Sequence, residues 1–145
     1  MFFIVATAVF FIDRIIKSII SQVLVPAKSV PVIKYFLSLT YVKNQGAAFG
    51  LFAGYGAFLI IIGIIISVLI IFYYFEFHRK EWIYKFSLGV ILGGSIGNLY
   101  DRIVLGHVVD YIDIRVFPVF NFADMMINLG ILLLLLKVFI FDSSK

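Results

Sequence analysis

Residues 55–77 of the chain read YGAFLIIIGIIISVLIIFYYFEF, an apolar run with one charged residue, Glu76. A helix of about 20 apolar residues is long enough to cross the roughly 30 Å hydrocarbon core of a bilayer. Three further apolar segments lie on either side of this run, at about residues 2–24, 83–105 and 119–141. The chain is 63% hydrophobic and 14% charged, outside the usual range of soluble domains. These features predict an α-helical integral membrane protein, residues 1–145 forming a single domain with four transmembrane helices.

The segment between the first two apolar runs, residues 27–54, is less hydrophobic and has a different periodicity. Leu37, Leu39 and Tyr41 alternate with Ser38 and Thr40, the period of two that is typical of a strand with unlike faces. We therefore expect a small β-sheet at the membrane surface between helices 1 and 2. Residues 2–24 also resemble a signal peptide, but no base precedes them and no small-x-small cleavage site follows.

The orientation of the chain follows from its basic residues. The segment 76–82 is short and carries Arg79 and Lys80, with Lys85 just beyond it, so the positive-inside tendency makes this loop cytoplasmic. Four spans then leave both termini cytoplasmic and place residues 27–54 and 106–118 outside. Gly89, Gly93 and Gly97 form a stripe for close helix contact, within the chain or with a second copy.

Acidic residues are unexpectedly frequent in and beside the apolar segments. An ionised carboxylate at the centre of a bilayer helix costs about 2.5 kcal/mol or more, which suggests a functional reason for keeping it. Most of the polar residues gather at one end of spans three and four, and we expect them to converge: Asn98, Asp101, Arg102, His107, Asp110, Asp113, Asn121 and Asp124. Asp13 in span one lies four residues before Lys17, a spacing that also suits a simple ion pair.

Two carboxylates held close together cannot both remain ionised, so such a pair provides an acid and a base at moderate pH. This chemistry suits hydrolysis of a peptide bond by an activated water molecule. Asn and Arg side chains nearby would hold the pair in position.

Other chemistries were weighed against the carboxylate pair. Gly93-Gly94-Ser95-Ile96-Gly97 fits the Gly-x-Ser-x-Gly pattern of serine hydrolases, with His107 further along, but the serine lies within a helical segment where that motif requires a strand-to-helix turn. A metal site of Asp110, Asp113 and Asp124 would suit a hard cation but lacks a regular ligand loop. Cysteine is absent, which excludes a thiol nucleophile.

Non-enzymatic functions form the second class of hypotheses. A channel or transporter component would use intramembrane aspartates as an ion path, but span two is almost free of polar residues. A purely structural membrane partner would not account for the polar cluster. The twelve Lys and Arg residues are scattered and form no basic stripe, so we expect no nucleic-acid partner.

Four short motifs occur in order along the chain: Asn44-Gln45-Gly46-Ala47-Ala48-Phe49, Gly97-Asn98-Leu99-Tyr100-Asp101-Arg102, Val108-Val109-Asp110-Tyr111-Ile112-Asp113 and Phe120-Asn121-Phe122-Ala123-Asp124. Together they resemble the successive signatures of signal peptidase II, the bacterial aspartic peptidase that removes signal peptides from lipoproteins. The resemblance extends from Asp13 to Asp124.

This resemblance implies a residue assignment. Asp110 and Asp124 match the catalytic pair of the family, and Asp101 matches a structural partner. Five further residues match supporting or substrate-binding positions: Asp13, Asn44, Asn98, Arg102 and Asn121.

The resemblance also implies an activity. The family cleaves just before a cysteine that already carries diacylglycerol, so the expected partners are diacylglyceryl-modified prolipoprotein signal peptides and membrane lipids. It works as a monomer, without a metal ion or cofactor, in the bacterial plasma membrane, and its active site lies toward the outer face. The predicted sheet would then cradle the substrate.

Overall fold

The computed structural model describes residues 1–26, 28–47, 51–76 and 81–142, with no side-chain placement for 140–142. Within these ranges the chain forms helices α1 (Phe2–Val23), α2 (Gly56–Glu76), α3 (Trp82–Leu105) and α4 (Phe122–Leu136), and a π-helical segment, Lys137–Asp142. The strands are β1 (Ser29–Ile33), β2 (Leu37–Asn44) and β3 (Val108–Asp113). Of the predicted features, most of the basic loop, the Ala48-Phe49 pair and residues 143–145 lie outside the described residues.

Three of the described helices are long and apolar enough to cross a membrane: α2, α3, and α4 with its extension to Phe139. α2 has the highest mean hydropathy, 2.9, and Ser67 is its one buried residue. Ile70, Ile71, Tyr73 and Tyr74 pack against the core, and the exposed residues of α2 are available to lipid. α1 has a similar length, 22 residues, but carries Asp13, Arg14 and Lys17, and its Asp13 and Lys17 are buried. Its charges therefore face the protein interior.

Close contacts around α3 hold the helices together. A Cβ atom added to Gly89 would lie 2.7 Å from the Phe2 carbonyl oxygen, and one at Gly93 would lie 2.5 Å from that of Ala6. On the α4 side, a Cβ at Gly94 would lie 2.6 Å from the Ala123 carbonyl oxygen. Small residues are required where helix backbones approach this closely. The predicted glycine stripe thus packs within the chain, against α1.

The sheet differs from the prediction. It has three antiparallel strands in the order β1-β2-β3, and the third comes from the segment after α3, whereas the sheet was predicted only between helices 1 and 2. Val108, Val109 and Tyr111 are buried, and β-branched and aromatic residues suit a half-buried strand, so the signal was present in the sequence. The sheet packs against the C-terminal end of α1, where Ile20 and Leu24 contact a cluster formed by Tyr41, Val109 and Tyr111.

The start of α4 also differs from the prediction of a span from residue 119. The helix begins after Asn121, whose side chain accepts a hydrogen bond from the Asp124 N–H while the Asp124 side chain accepts from the Asn121 N–H. This reciprocal capping box satisfies two backbone donors at the helix N-terminus. Hydropathy alone placed the boundary too early because the residues before the cap are also apolar.

Candidate active site

Asp110 lies on β3, opposite Val42 of β2, and is 2% exposed. Its two carboxylate oxygens each accept a short hydrogen bond, Oδ2 from Asn44 Nδ2 at 2.8 Å and Oδ1 from Asn121 Nδ2 at 2.6 Å. Burial raises the pKa of Asp110 to about 6, with the Asn44 hydrogen bond opposing the rise and the charge of Asp124 adding to it. Asp110 is therefore able to exchange a proton near neutral pH.

Asp124 lies in the first turn of α4, where the helix dipole favours a negative charge. Its Oδ1 accepts a hydrogen bond from Asn98 Nδ2 at 2.7 Å, and its Oδ2 accepts from the Asn121 backbone N–H at 3.2 Å. Both of its oxygens are thus held by neighbouring donors, and the side chain still lines a cavity.

Asn121 connects the two aspartates. Its side-chain amide donates to Asp110, and its backbone N–H donates to Asp124. The side chain is fully buried, and its Nδ2 also lies 3.2 Å from Asn98 Oδ1. The two carboxylates are therefore placed by hydrogen bonds to one shared residue.

Arg102 and Asn44 connect the strand end to α3. Arg102 NH2 donates to the Gly46 carbonyl oxygen at 3.0 Å, and Asn44 Oδ1 accepts from the Gly46 N–H at 2.9 Å. Both contacts fix the turn that follows β2. Arg102 and Asn44 also line the cavity, where they are available to a bound molecule.

Asp13 and Asp101 have a different role from the two aspartates at the cavity. Both are fully buried and pair with bases of α1: Lys17 Nζ lies 3.0 Å from Asp13 and 2.8 Å from Asp101, and Arg14 lies 2.6 Å from Asp101. Asp101 Oδ2 also accepts the Val109 N–H at 3.2 Å, next to Asp110 in the chain. This ionic cluster joins α1 to α3 and supports β3.

The cavity has a volume of about 900 Å³ and combines polar and apolar walls. Its apolar wall includes Phe117, Met125 and Ile127. Polar side chains line another part: Asn44, Asn98, Arg102, Asp110, Asp124 and Asn128. This size is at the upper end for small-molecule sites and suits a bulky, largely apolar ligand.

The remaining candidates from the sequence lie elsewhere. Asp113 bonds to Thr40 Oγ1 at 3.0 Å and to the Arg115 N–H at 2.9 Å, so it is a strand residue held by the sheet. Within the described residues, no three acidic or histidine side chains are grouped as a metal site. Ser95 lies inside α3 without a strand-to-helix turn, and His107 Nδ1 lies 2.9 Å from the Leu105 carbonyl oxygen.

Two features of the site were not predicted from the sequence. Lys17, expected at most to pair with Asp13, also contacts Asn98 Oδ1 at 3.0 Å. The Tyr111 hydroxyl accepts the Phe122 N–H at 3.1 Å, and burial raises the pKa of this phenol, so it stays protonated beside the start of α4. The Lys17 spacing was visible in the sequence, but its third partner depends on how α1 packs against α3.

The chain is similar in sequence to known proteins of one family. The family model described as signal peptidase (SPase) II matches residues 5–140. The lipoprotein signal peptidase of Desulfitobacterium hafniense strain DCB-2 is 46% identical over 135 residues, covering 92% of this chain and 89% of its own length. That of Halothermothrix orenii is 42% identical over 137 residues, covering 94% and 93%.

A solved structure described as a bacterial membrane enzyme at 2.3 Å resolution superposes with a TM-score of 0.91 and 31% identity. The superposition covers 98% of this chain and 89% of that one. The four sequence motifs, the family model and the relatives all indicate the same family. The chain therefore belongs to the signal peptidase II family, whose members are bacterial membrane proteases that process lipoproteins.

Proposed function

We propose that this protein is an aspartic endopeptidase that removes the signal peptide from diacylglyceryl-modified prolipoproteins, cutting just before the lipidated cysteine. Asp110 and Asp124 are the catalytic residues in this proposal. The observation that carries it is that two carboxylates from separate elements, β3 and α4, line one cavity and are both bonded to Asn121. Burial raises the pKa of Asp110 to about 6, so this carboxyl group can gain or lose a proton at moderate pH, as acid–base catalysis requires.

The reaction needs one ionised and one protonated carboxyl group. The ionised member takes a proton from a water molecule as its oxygen attacks the scissile carbonyl carbon. The protonated member donates to the carbonyl oxygen, and the C–N bond then breaks as the leaving nitrogen takes up a proton. Asn44, Asn98 and Asn121 hold the carboxylates throughout, so little reorganisation is needed during the reaction.

The membrane arrangement is part of the same proposal. α1 also crosses the membrane, which brings the number of transmembrane helices to four. Its Asp13 and Lys17 are paired inside the protein, and its outer residues, including Ile4, Phe11 and Ile15, are exposed and apolar. The sheet then lies at the outer surface, with both termini cytoplasmic. The catalytic pair lies where β3 and the start of α4 meet, at the outer end of the helices, within reach of a lipid-anchored substrate.

A channel component remains the alternative from another class, and the polar side chains argue against it. An ion path requires polar groups through the depth of the bilayer, whereas α2 is almost uniformly apolar. The polar side chains of the cavity lie toward the end of α3 and the start of α4.

The substrate class is tested with purified protein in detergent and one prolipoprotein prepared with and without diacylglycerol on its cysteine. Cleavage of the lipidated form alone, unchanged by a chelator, is the expected result. Equal cleavage of both forms would remove the lipid requirement, and loss of activity with chelator would point to a metal mechanism.

A further inference from the structure

Lys17 is a buried base whose three donors are all occupied. It is 2% exposed, and its Nζ lies 3.0 Å from Asp13 Oδ2, 2.8 Å from Asp101 Oδ2 and 3.0 Å from Asn98 Oδ1. An ammonium group has three N–H donors and no acceptor. The contact with Asn98 is the one that reaches beyond the ionic cluster toward the catalytic pair.

The ammonium of Lys17 dictates which way the Asn98 amide points. Because an ammonium can only donate, the Asn98 atom facing it must be the oxygen, and that oxygen also lies 3.2 Å from Asn121 Nδ2. The amide nitrogen is then turned to Asp124 Oδ1, which it contacts at 2.7 Å. A flipped amide would place its N–H groups against two donors and leave Asp124 facing an acceptor.

We propose that Lys17 is a positioning residue for catalysis: it fixes the Asn98 side chain so that its amide donates to Asp124. This inference rests on the proposed function of Asp124. It differs from the reading of Lys17 as a plain ion-pair partner of Asp13, in which any base of the cluster would serve equally well. Arg14 provides the comparison, since it contacts Asp13 and Asp101 but has no described contact with Asn98.

The test compares two double variants that remove the same charges from the ionic cluster. D13N/K17M and D13N/R14M each lose one acid and one base, so both leave one base paired with Asp101 and a neutral cluster. They differ in whether the contact with Asn98 Oδ1 is kept. Initial rates on the lipidated substrate give kcat and KM for each protein, and detergent-solubilised thermal unfolding shows that each is folded.

The expected result is a kcat for D13N/K17M that is about 10- to 100-fold below that of D13N/R14M, with similar KM, because a charge-assisted contact that orients a donor has been lost.

Equal kcat values in the two folded double variants would overturn the inference while leaving the proposed function intact. Failure of the unmodified protein to cleave would instead overturn the proposed function itself. If D13N/K17M does not fold, D13N/K17Q is measured instead, because the glutamine amide keeps a polar group at this buried position but is uncharged and one atom shorter than lysine. The inference predicts a lower kcat for that folded variant than for D13N/R14M, and equal values would refute it.

Discussion

Subtracting the free energy of unfolding of the unmodified protein from that of Asp110→Asn should give a difference that increases as the pH rises. The pKa of Asp110 is raised from 3.8 to about 6, so the folded protein disfavours the ionised side chain. A shift of about two units corresponds to about 3 kcal/mol once the group is ionised in both states. Between about pH 4 and 6 the folded state binds more protons than the unfolded state, so the free energy of unfolding falls as pH increases.

The variant lacks this titration but has a fixed defect. An Asn at position 110 offers one oxygen to two donors, Asn44 Nδ2 and Asn121 Nδ2, and so loses one hydrogen bond at a cost of about 1–3 kcal/mol. That cost is present at every pH. The free energy of unfolding of the variant minus that of the unmodified protein is therefore measured at pH 4 and at pH 7. Subtracting the pH 4 value from the pH 7 value gives a double difference from which the fixed cost cancels.

The assay is thermal unfolding in detergent across this pH range, with Asp113→Asn as the matched control on the same strand. The double difference for D110N should favour the variant by up to about 3 kcal/mol. The control should show a smaller change between the two pH values than D110N does, because it leaves Asp110 in place. A pH-independent difference between D110N and the unmodified protein would refute the argument that burial of Asp110 raises its pKa.

Three further substitutions test other parts of the site and the fold. Asn121→Ala removes a helix cap and a donor to Asp110, so it should cost about 1–2 kcal/mol of stability and lower kcat at least 10-fold, measured by unfolding and by initial rates. Arg102→Ala removes the contact with the Gly46 carbonyl oxygen from the cavity wall, and should reduce kcat/KM about 10-fold or more in a folded protein. Gly93→Val should prevent folding, since a Cβ there lies 2.5 Å from the Ala6 carbonyl oxygen, whereas Gly56→Ala, with open space around it, should be tolerated in the same expression assay.

Most of the fold was predictable because its signals are local. Apolar runs of membrane length predicted the helices. α1 ends before Leu24, two residues ahead of Pro26, and α3 ends before Gly106, which has a φ of 74°. The third strand was missed although Val108, Val109 and Tyr111 favour a strand, because its pairing with β2 is long-range and nothing local identifies its partner. The start of α4 was missed for a local reason, since Asn121 and Asp124 have the spacing of a capping box that hydropathy does not detect.

For the site, the sequence motifs selected residues that the structure brings together. Asn44 contacts Asp110, Asn98 contacts Asp124, and Asn121 contacts both. Asp101 lies in the ionic cluster. Asp13 lies in that cluster as well, away from the cavity. Residue spacing in the sequence could not predict the contacts that link Lys17 through Asn98 to Asp124. Those contacts depend on how α1, α3 and α4 are placed relative to one another.

The central claim is that Asp110 and Asp124 act together in cleavage, and the most direct measurement is cleavage of a lipidated prolipoprotein by matched variants. Asp110→Asn and Asp124→Asn should each lose product to the detection limit while remaining folded and membrane-inserted. Asp113→Asn should cleave at close to the normal rate, with mass spectrometry showing a new N-terminus at the lipidated cysteine. Normal cleavage by either folded Asp110→Asn or Asp124→Asn would contradict the assignment.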